Sequence, residues 1–350
     1  MPDKIIFAGK EVPLEKYDVR ERLQKVFNVF THDRRGFFQN LIDVQNGYLP
    51  QAKRVLSEFG VHPDLAYIIP AESEFNPRAL SPAQASGLWQ LMPATAKMYG
   101  LRVDSFIDER NHPERSARAA AEHLRMLSNL FPDDPFLVLA AYNNGDYNVR
   151  VTLENQKSGD FWSTRSNSET ESYVEKIIIY KLLLSDPEAF GFSENESDEN
   201  SSRETCTIVL GPQDLPFSKI CELAGISYRE LYKNNPHINF GSYKEDGCIS
   251  KYTSAELILP EGRPDRLIDG LEENNYLAGS DAAAGTSQSG MRILEDIYEV
   301  KFNDNIESIA FRFRTDWRKI AEINDLKIIT LSSGTETAEV TAGQKLRIIR

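Results

Sequence analysis

The residues best suited to chemistry lie between Asp64 and Thr95, with Glu72 at their centre. Pro63 and Asp64 suit a helix start, and Leu65, Ala66, Ile68 and Ile69 supply a buried face. Pro70 weakens that helix by removing a backbone donor, and Pro77 forbids much more of it. Glu72 is therefore expected near a helix C-terminus, after an apolar run. The negative end of the helix and an apolar setting both disfavour a charged carboxylate. A glutamic acid still protonated near neutral pH is what glycosidic cleavage asks of a general acid. Such cleavage ordinarily uses a second carboxylate. Glu74 is near in sequence, but helical geometry would turn it roughly 200° away from Glu72, and neither Asp nor Glu occurs from Phe75 through Val103. A partner brought close by the fold stays open. A glutamate at a helix end is more often a solvated surface residue, so the reading rests on its surroundings.

Other chemistries have less support. The five histidines (His32, His62, His112, His123, His237) are scattered and share no zinc-ligand spacing with cysteine, so neither a metal site nor a cofactor is expected. Cys206, Cys221 and Cys248 read first as unrelated thiols; one disulfide stays open for an exported protein, and spacing does not choose the pair. The formal net charge of -13 argues against nucleic acid as the main partner and against docking on anionic lipid. No apolar run is long enough for a membrane span, and Met1 to Lys10 lacks the apolar core of a signal peptide.

The elements that must position Glu72 are mostly helical. Apolar residues recur at helical spacing from Val19 to Tyr48, Ala117 to Leu130 is rich in helix formers, and Tyr173 to Leu184 reads as a buried helix, with a strand alternative kept by its β-branched run. Residues 1–192 are thus expected to form an all-α domain. The acidic stretch Ser193 to Glu204 reads as a solvated linker, and 263–290, containing GSDAAAGTSQSG, as a flexible tether. Segments 205–262 and 291–350 look like two copies of one βααβ plan. The first has strand Thr207 to Leu210, helices Phe217–Ala224 and Ser227–Asn234, and an apolar close at Glu256 to Pro260. The second has Ile297 to Phe302, Ile306–Phe313, Asp316–Ile323 and Lys345 to Ile349. Both second helices lead into asparagine, Asn234-Asn235 and Asn324.

The pattern Glu72-Ser73-x-Phe75-Asn76-Pro77, Ser81-Pro82, Gly87-Leu88-Trp89-Gln90-Leu91-Met92-Pro93-x-Thr95-Ala96 resembles the goose-lysozyme-like lytic transglycosylases. Ala140-Ala141-Tyr142-Asn143-Asn144-Gly145 resembles their third motif and Glu169-Thr170-x-x-Tyr173-Val174 their fourth, all in the expected order. The resemblance implies a lysozyme-like, mainly α catalytic domain. It makes Glu72 the catalytic acid and base, and Ser73, Ser81, Gln90, Met92, Tyr142, Asn143 and Tyr173 the substrate-binding set. Within that set, Ser81 would hydrogen-bond the glycan, Gln90 and Met92 would line its groove, and Tyr142 would orient Glu72. Each has a plainer rival: Ser73 bracing the helix end, Trp89 and Met92 as core, Tyr142 as a packed tyrosine. Trp89, Asn144 and Asp146 depart from the commonest residues of the motifs without touching the implied chemistry.

Ile297 to Ala310, with Asn324-Asp325-Leu326 and Ala342-Gly343-Gln344-Lys345-Leu346, resembles a LysM domain, and 205–262 looks like a degenerate one with extra residues around Gly241 to Ser254. The implied partner is peptidoglycan glycan strands. The implied reaction cuts between N-acetylmuramic acid and N-acetylglucosamine and closes a 1,6-anhydro ring. A hydrolytic muramidase and a non-catalytic peptidoglycan-binding scaffold are the alternatives. Such a substrate places the protein in the periplasm, with outer-membrane association as a further implication and the export signal already removed.

Overall fold

The computed structural model describes residues 1–193, 203–242, 247–250 and 254–277, and, towards the C-terminus, 295–300, 306, 309, 317–324, 326–330, 336–338, 340–341 and 343–349. Two compact units result, Met1–Tyr276 and Leu277–Arg350.

The first unit opens with a hairpin, β1 (Ile6–Phe7) and β2 (Lys10–Glu11), followed by α1 (Tyr17–Asn28), α2 (Arg35–Gln45) and α3 (Leu49–Glu58). A π-helical turn, Val29–Asp33, separates α1 from α2, so the apolar stripe from Val19 to Tyr48 runs through α1, this turn and α2, and ends at the cap of α3. A 3-10 turn at Pro63–Tyr67 runs into α4 (Ile68–Ser73). Pro70 lies in the first turn of α4, where the missing N–H has no partner to lose. Here the proline starts a short helix instead of weakening a long one.

After α5 (Pro93–Met98) come α6 (Pro113–Leu130), α7 (Pro135–Asn144), α8 (Asp146–Gln156) and α9 (Ser168–Ser185). Two of these are apolar almost all round, which marks a helix enclosed by others. In α7, Phe136 to Ala141 are all buried. In α9, Val174, Ile177, Ile178, Ile179, Leu183 and Leu184 are buried together with Tyr173 and Tyr180. The β-branched run of α9 is thus helical, not extended: α1, α4 and α7 pack around it, and burial outweighs the modest propensity cost. Asn167 caps α9 by accepting from Thr170 N, and Asp134 caps α7 by accepting from Phe136 N and Leu137 N.

The remainder of this unit is β3 (Arg203–Val209), β4 (Leu215–Pro216), α10 (Phe217–Ala224), α11 (Tyr228–Asn234), β5 (Cys248–Ile249), β6 (Ser254–Pro260) and α12 (Arg263–Glu273). Strands β3 and β6 pair antiparallel from Arg203↔Pro260 to Val209↔Ser254. The expected tether does not begin at 263: α12 buries Pro264, Leu267 and Leu271 against α10, β3 and β6. Its polar composition hid a helical spacing of apolar residues. The remainder of that tether, 278–290, and most of the acidic linker, 194–202, lie outside the described residues. All three cysteines are unpaired, with Cys206 buried.

In the second unit β7 (Glu295–Glu299) pairs antiparallel with β10 (Lys345–Ile349), α13 (Trp317–Ile323) packs on β10, and β8 (Ile328–Thr330) pairs with β9 (Glu336–Ala338). Of the helix expected at 306–313, only Ile306 and Ile309 are described; both are buried in a core with Val300, Ile320, Leu346 and Ile348.

One detail recurs in both places. The Asn235 amide donates to Leu231 O and to Ile258 O, and its Oδ1 accepts from Ile258 N at 2.8 Å. The Asn324 amide donates to Ile320 O and Arg347 O, and its Oδ1 accepts from Arg347 N at 2.7 Å. Each asparagine staples the end of the second helix to the closing strand, across the same separation of 23 residues.

Candidate active site

Glu72 is the penultimate residue of α4, and the chain leaves the helix abruptly behind it: Glu74 has φ 53° and Phe75 φ 62°. Two successive left-handed non-glycine residues cost on the order of 1–3 kcal/mol each. Burial of Phe75 on the apolar core helps to hold the turn. The turn carries Glu74 out to solvent.

The Glu72 carboxyl is pushed up to about 7. Burial is the largest cause; the charge of Glu169 adds to it, and the hydroxyl of Tyr173 works against it. Tyr173 on α9 donates to Glu72 Oε1 at 2.6 Å. That phenol is held neutral by burial and by the neighbouring carboxyl. Tyr142 also feels Glu72, but its hydroxyl donates to Trp89 O at 2.7 Å. The glutamate is therefore held by Tyr173, and Tyr142, expected to orient it, holds the loop of Trp89 instead. Glu169 stands one turn before Tyr173 on α9, exposed. In the sequence it is a member of a motif with no visible electrostatic role, because only the packing of α9 on α4 brings it near Glu72.

The other expected residues divide into two groups. Ser81 and Met92 are accessible. Ser81 is half-buried and its Oγ accepts from Ala85 N; Met92 is 43% exposed. Ser73, Asn143 and Gln90 have their polar groups engaged by the protein. The Ser73 hydroxyl lies within bonding distance of Ile69 O and Leu88 O, so it braces α4 against the loop. Asn143 Oδ1 accepts from Thr170 Oγ1 at 2.8 Å, tying α7 to the first turn of α9. Gln90 Nε2 donates to Ala79 O and Gly87 O, bridging the loop in which it lies. Trp89 is fully buried, in line with its plainer reading as core. Behind Tyr142, His123 on α6 places its ring 5.6 Å from the tyrosine ring and Nδ1 3.2 Å from Tyr99 Oη; burial lowers its pKa.

The loop 76–92 is a compact structure of its own. Isolated bridges join Leu80 with Ser86 and Ser86 with Leu91. Gly87 has φ 83°, and a Cβ there would fall 1.9 Å from Arg110 O. Only glycine allows that approach. Among the described residues no group of three or more His, Cys, Asp or Glu side chains is gathered as a metal site requires, and no helix is long and apolar enough to cross a membrane. Chemically the site offers one carboxyl that titrates near neutral pH, a phenol that donates a hydrogen bond to it, and the accessible side chains of Ser81 and Met92.

Comparison with known proteins places these features. The model of the transglycosylase SLT domain matches residues 52–164, which include Glu72 and Tyr142, and that of the LysM domain matches residues 298–348. The chain thus carries an SLT domain in its helical part and a LysM domain at its C-terminal end. It is 29% identical over 268 residues to the membrane-bound lytic murein transglycosylase D of Escherichia coli K12, covering 75% of this chain and 56% of that protein. It is 37% identical to the peptidoglycan transglycosylase gp16 of Escherichia phage T7, over 72% of this chain and 19% of that one. Among solved structures, the 70 kDa soluble lytic transglycosylase of Escherichia coli is 28% identical, with a TM-score of 0.36 over 44% of this chain and 26% of the other. The chain spans about half the length of the transglycosylase D it matches.

Proposed function

We propose that the chain is a peptidoglycan lytic transglycosylase that cuts the β-1,4 bond between N-acetylmuramic acid and N-acetylglucosamine, with Glu72 as acid and then base. The observation that carries this reading is the Glu72 carboxyl, pushed up to about 7 and bonded to Tyr173. A group that is half protonated near neutral pH can give a proton and take one back within a single turnover. Neutral Glu72 donates its proton to the bridging oxygen, the bond to the muramic C1 breaks, and the N-acetylglucosamine leaves with a 4-hydroxyl. The substrate's own acetamido oxygen shares the positive charge at C1. The Glu72 carboxylate then removes the proton of the muramic 6-hydroxyl, whose oxygen bonds to C1 and closes the anhydro ring. No water is consumed and Glu72 ends protonated. Tyr173 steadies the carboxylate between the two transfers.

Glu169 gives a second reading a footing. Its carboxylate is close enough to raise the Glu72 pKa, and a carboxylate that oriented water would make the enzyme a hydrolytic muramidase. Product mass discriminates: an anhydro end is one water lighter than a reducing end. Digestion of purified peptidoglycan by the wild type should release anhydro products, and Glu72→Gln should release neither kind. Full activity in Glu72→Gln would end the proposal.

The domain reading follows. Residues 1–192 are the catalytic domain. The segment 205–262, extended by α12, is a LysM-like module, supported by the matching staples of Asn235 and Asn324. Residues 291–350 form a LysM domain that tethers the enzyme to glycan and raises local substrate concentration. The substrate lies in the cell envelope outside the cytoplasm, so the enzyme acts there.

A further inference from the structure

The module 203–276 does not hang from the catalytic domain. Its turn after α11 pairs with the segment 104–108 of the catalytic domain: Asp108 N donates to His237 O, Asn239 N to Phe106 O, and Ile107 and Ile238 form an antiparallel bridge. The Asn239 amide adds a bond to Ser105 O. Beneath this short ladder, Glu256 of β6 meets His112 at 2.7 Å and Arg115 at 2.5 Å, all but Arg115 nearly inaccessible. The His237 ring packs on that of His112, 4.7 Å between centroids. Ions so far from water demand good pairing, which marks a permanent contact rather than a passing one.

Both ends of the junction reach the loop 76–92, which the motif resemblance assigns to the glycan groove. At its start, the Arg78 guanidinium donates to Tyr232 O, Asn235 O and Pro236 O of the module, and lies 4.1 Å from the Tyr232 ring centroid. At its back, Asp108 is held by the module through its N–H and holds Arg110 through both carboxylate oxygens. Buried Arg110 in turn donates to Gln84 O and Leu91 O. The next residue, Asn111, accepts from Ser86 Oγ at 2.8 Å. The loop carrying Ser81, Gln90 and Met92 is therefore gripped at Arg78 and again from Gln84 to Leu91.

We propose that the 232–239 turn of the module is a positioning element for the substrate loop 76–92, with Arg78 as the positioning residue that transmits its hold. This rests on the glycan-cleaving function proposed above. A groove wall held by a rigid neighbour binds glycan without first having to be ordered. Loosening it removes binding shared by ground state and transition state, which raises KM and leaves kcat.

The test uses the full chain and soluble, uncross-linked glycan strands, reading release of anhydro products against strand concentration. Arg78→Ala should raise KM about tenfold, keep kcat within about twofold and leave the pH profile unmoved. Arg78→Lys, which keeps a donor for one carbonyl, should recover most of the lost KM. Asn239→Ala removes one side-chain bond across the junction, to Ser105 O, and one within the module, to Ser242 Oγ, and should raise KM about two- to threefold; it carries the test if Arg78→Ala does not fold. A wild-type KM in the variants, while hydrogen exchange at 232–239 quickens, would make the module a passenger and overturn the proposal. A fall in kcat with KM unchanged would overturn it too. A wild type that releases no anhydro product defeats the functional reading, whereas an active wild type with an unchanged KM in the variants defeats only this one.

Discussion

Replacing Glu72 by glutamine should stabilise the protein, and only at the pH where the carboxyl would be charged. The native carboxyl titrates at about 7 against an ordinary 4.5. At pH 4 both folded and unfolded chains carry it protonated, so glutamine, a neutral group of nearly the same shape, changes little. Above 4.5 the unfolded chain gives up its proton freely and the folded chain does not. The wild type therefore loses stability as pH rises, until the native carboxyl has also ionised above 7. Moving a carboxyl pKa by that much corresponds to about 3 kcal/mol at pH 8. Glutamine keeps an oxygen to accept from Tyr173, so the bond seen at 2.6 Å is not simply lost. The assay is unfolding of wild type and Glu72→Gln at pH 4 and pH 8. The midpoints should coincide at pH 4 and differ at pH 8 by roughly 6–10 °C, with the variant higher. An equal offset at both values would assign the effect to packing. No gain at pH 8 would show that the carboxyl is not held neutral by burial, and the acid role derived from it would fall.

Three further outcomes follow from the same electrostatics. In Tyr173→Phe the hydroxyl that lowers the Glu72 pKa is gone, so the alkaline limb of kcat/KM should move to higher pH while the maximal rate drops on the order of 10–100-fold. In Glu169→Gln a charge that raises the Glu72 pKa is gone, and the same limb should move to lower pH; pH–rate profiles of both variants check the opposite signs. Glu256 is the reverse case from Glu72: burial alone would raise its carboxyl, but His112 and Arg115 outweigh that and hold it low. Its stabilisation is present above the ordinary carboxyl pKa and fades as pH falls through the native value. Glu256→Gln should therefore cost stability at pH 7 and progressively less in acid, as urea titrations at several pH values would read.

Much of the site is legible in the order of residues alone. Pro63, the apolar residues 65–69 and Pro77 confine Glu72 to a helix end, and local spacing is enough for that because a helix end is a local object. Ordered motifs locate Tyr142, Asn143 and Tyr173 as well. Their partners are not legible. Tyr173 and Glu72 are 101 residues apart, and which tyrosine reaches the carboxyl depends on how α9 crosses α4. Ser73 and Asn143, expected at the substrate, are instead engaged with Leu88 O and Thr170; a hydroxyl or amide in a motif looks the same whether it faces ligand or backbone. Composition misleads at 263–273, where charged residues conceal the spacing of Pro264, Leu267 and Leu271.

The order of residues alone settles the helical first part, the two consecutive short helices within segment 205–262, to which the fold adds the strand pair β4 and β5, and a single carboxyl with no local partner. These follow from periodicity, proline chemistry and the order of residues along the chain. Only the packing of distant elements shows that burial and Glu169 lift Glu72 to about 7, that Tyr173 holds it, and that the 232–239 turn bonds to Arg78 and to Asp108. Dielectric environment and long-range contacts depend on which surfaces meet, and no local pattern of residues encodes that.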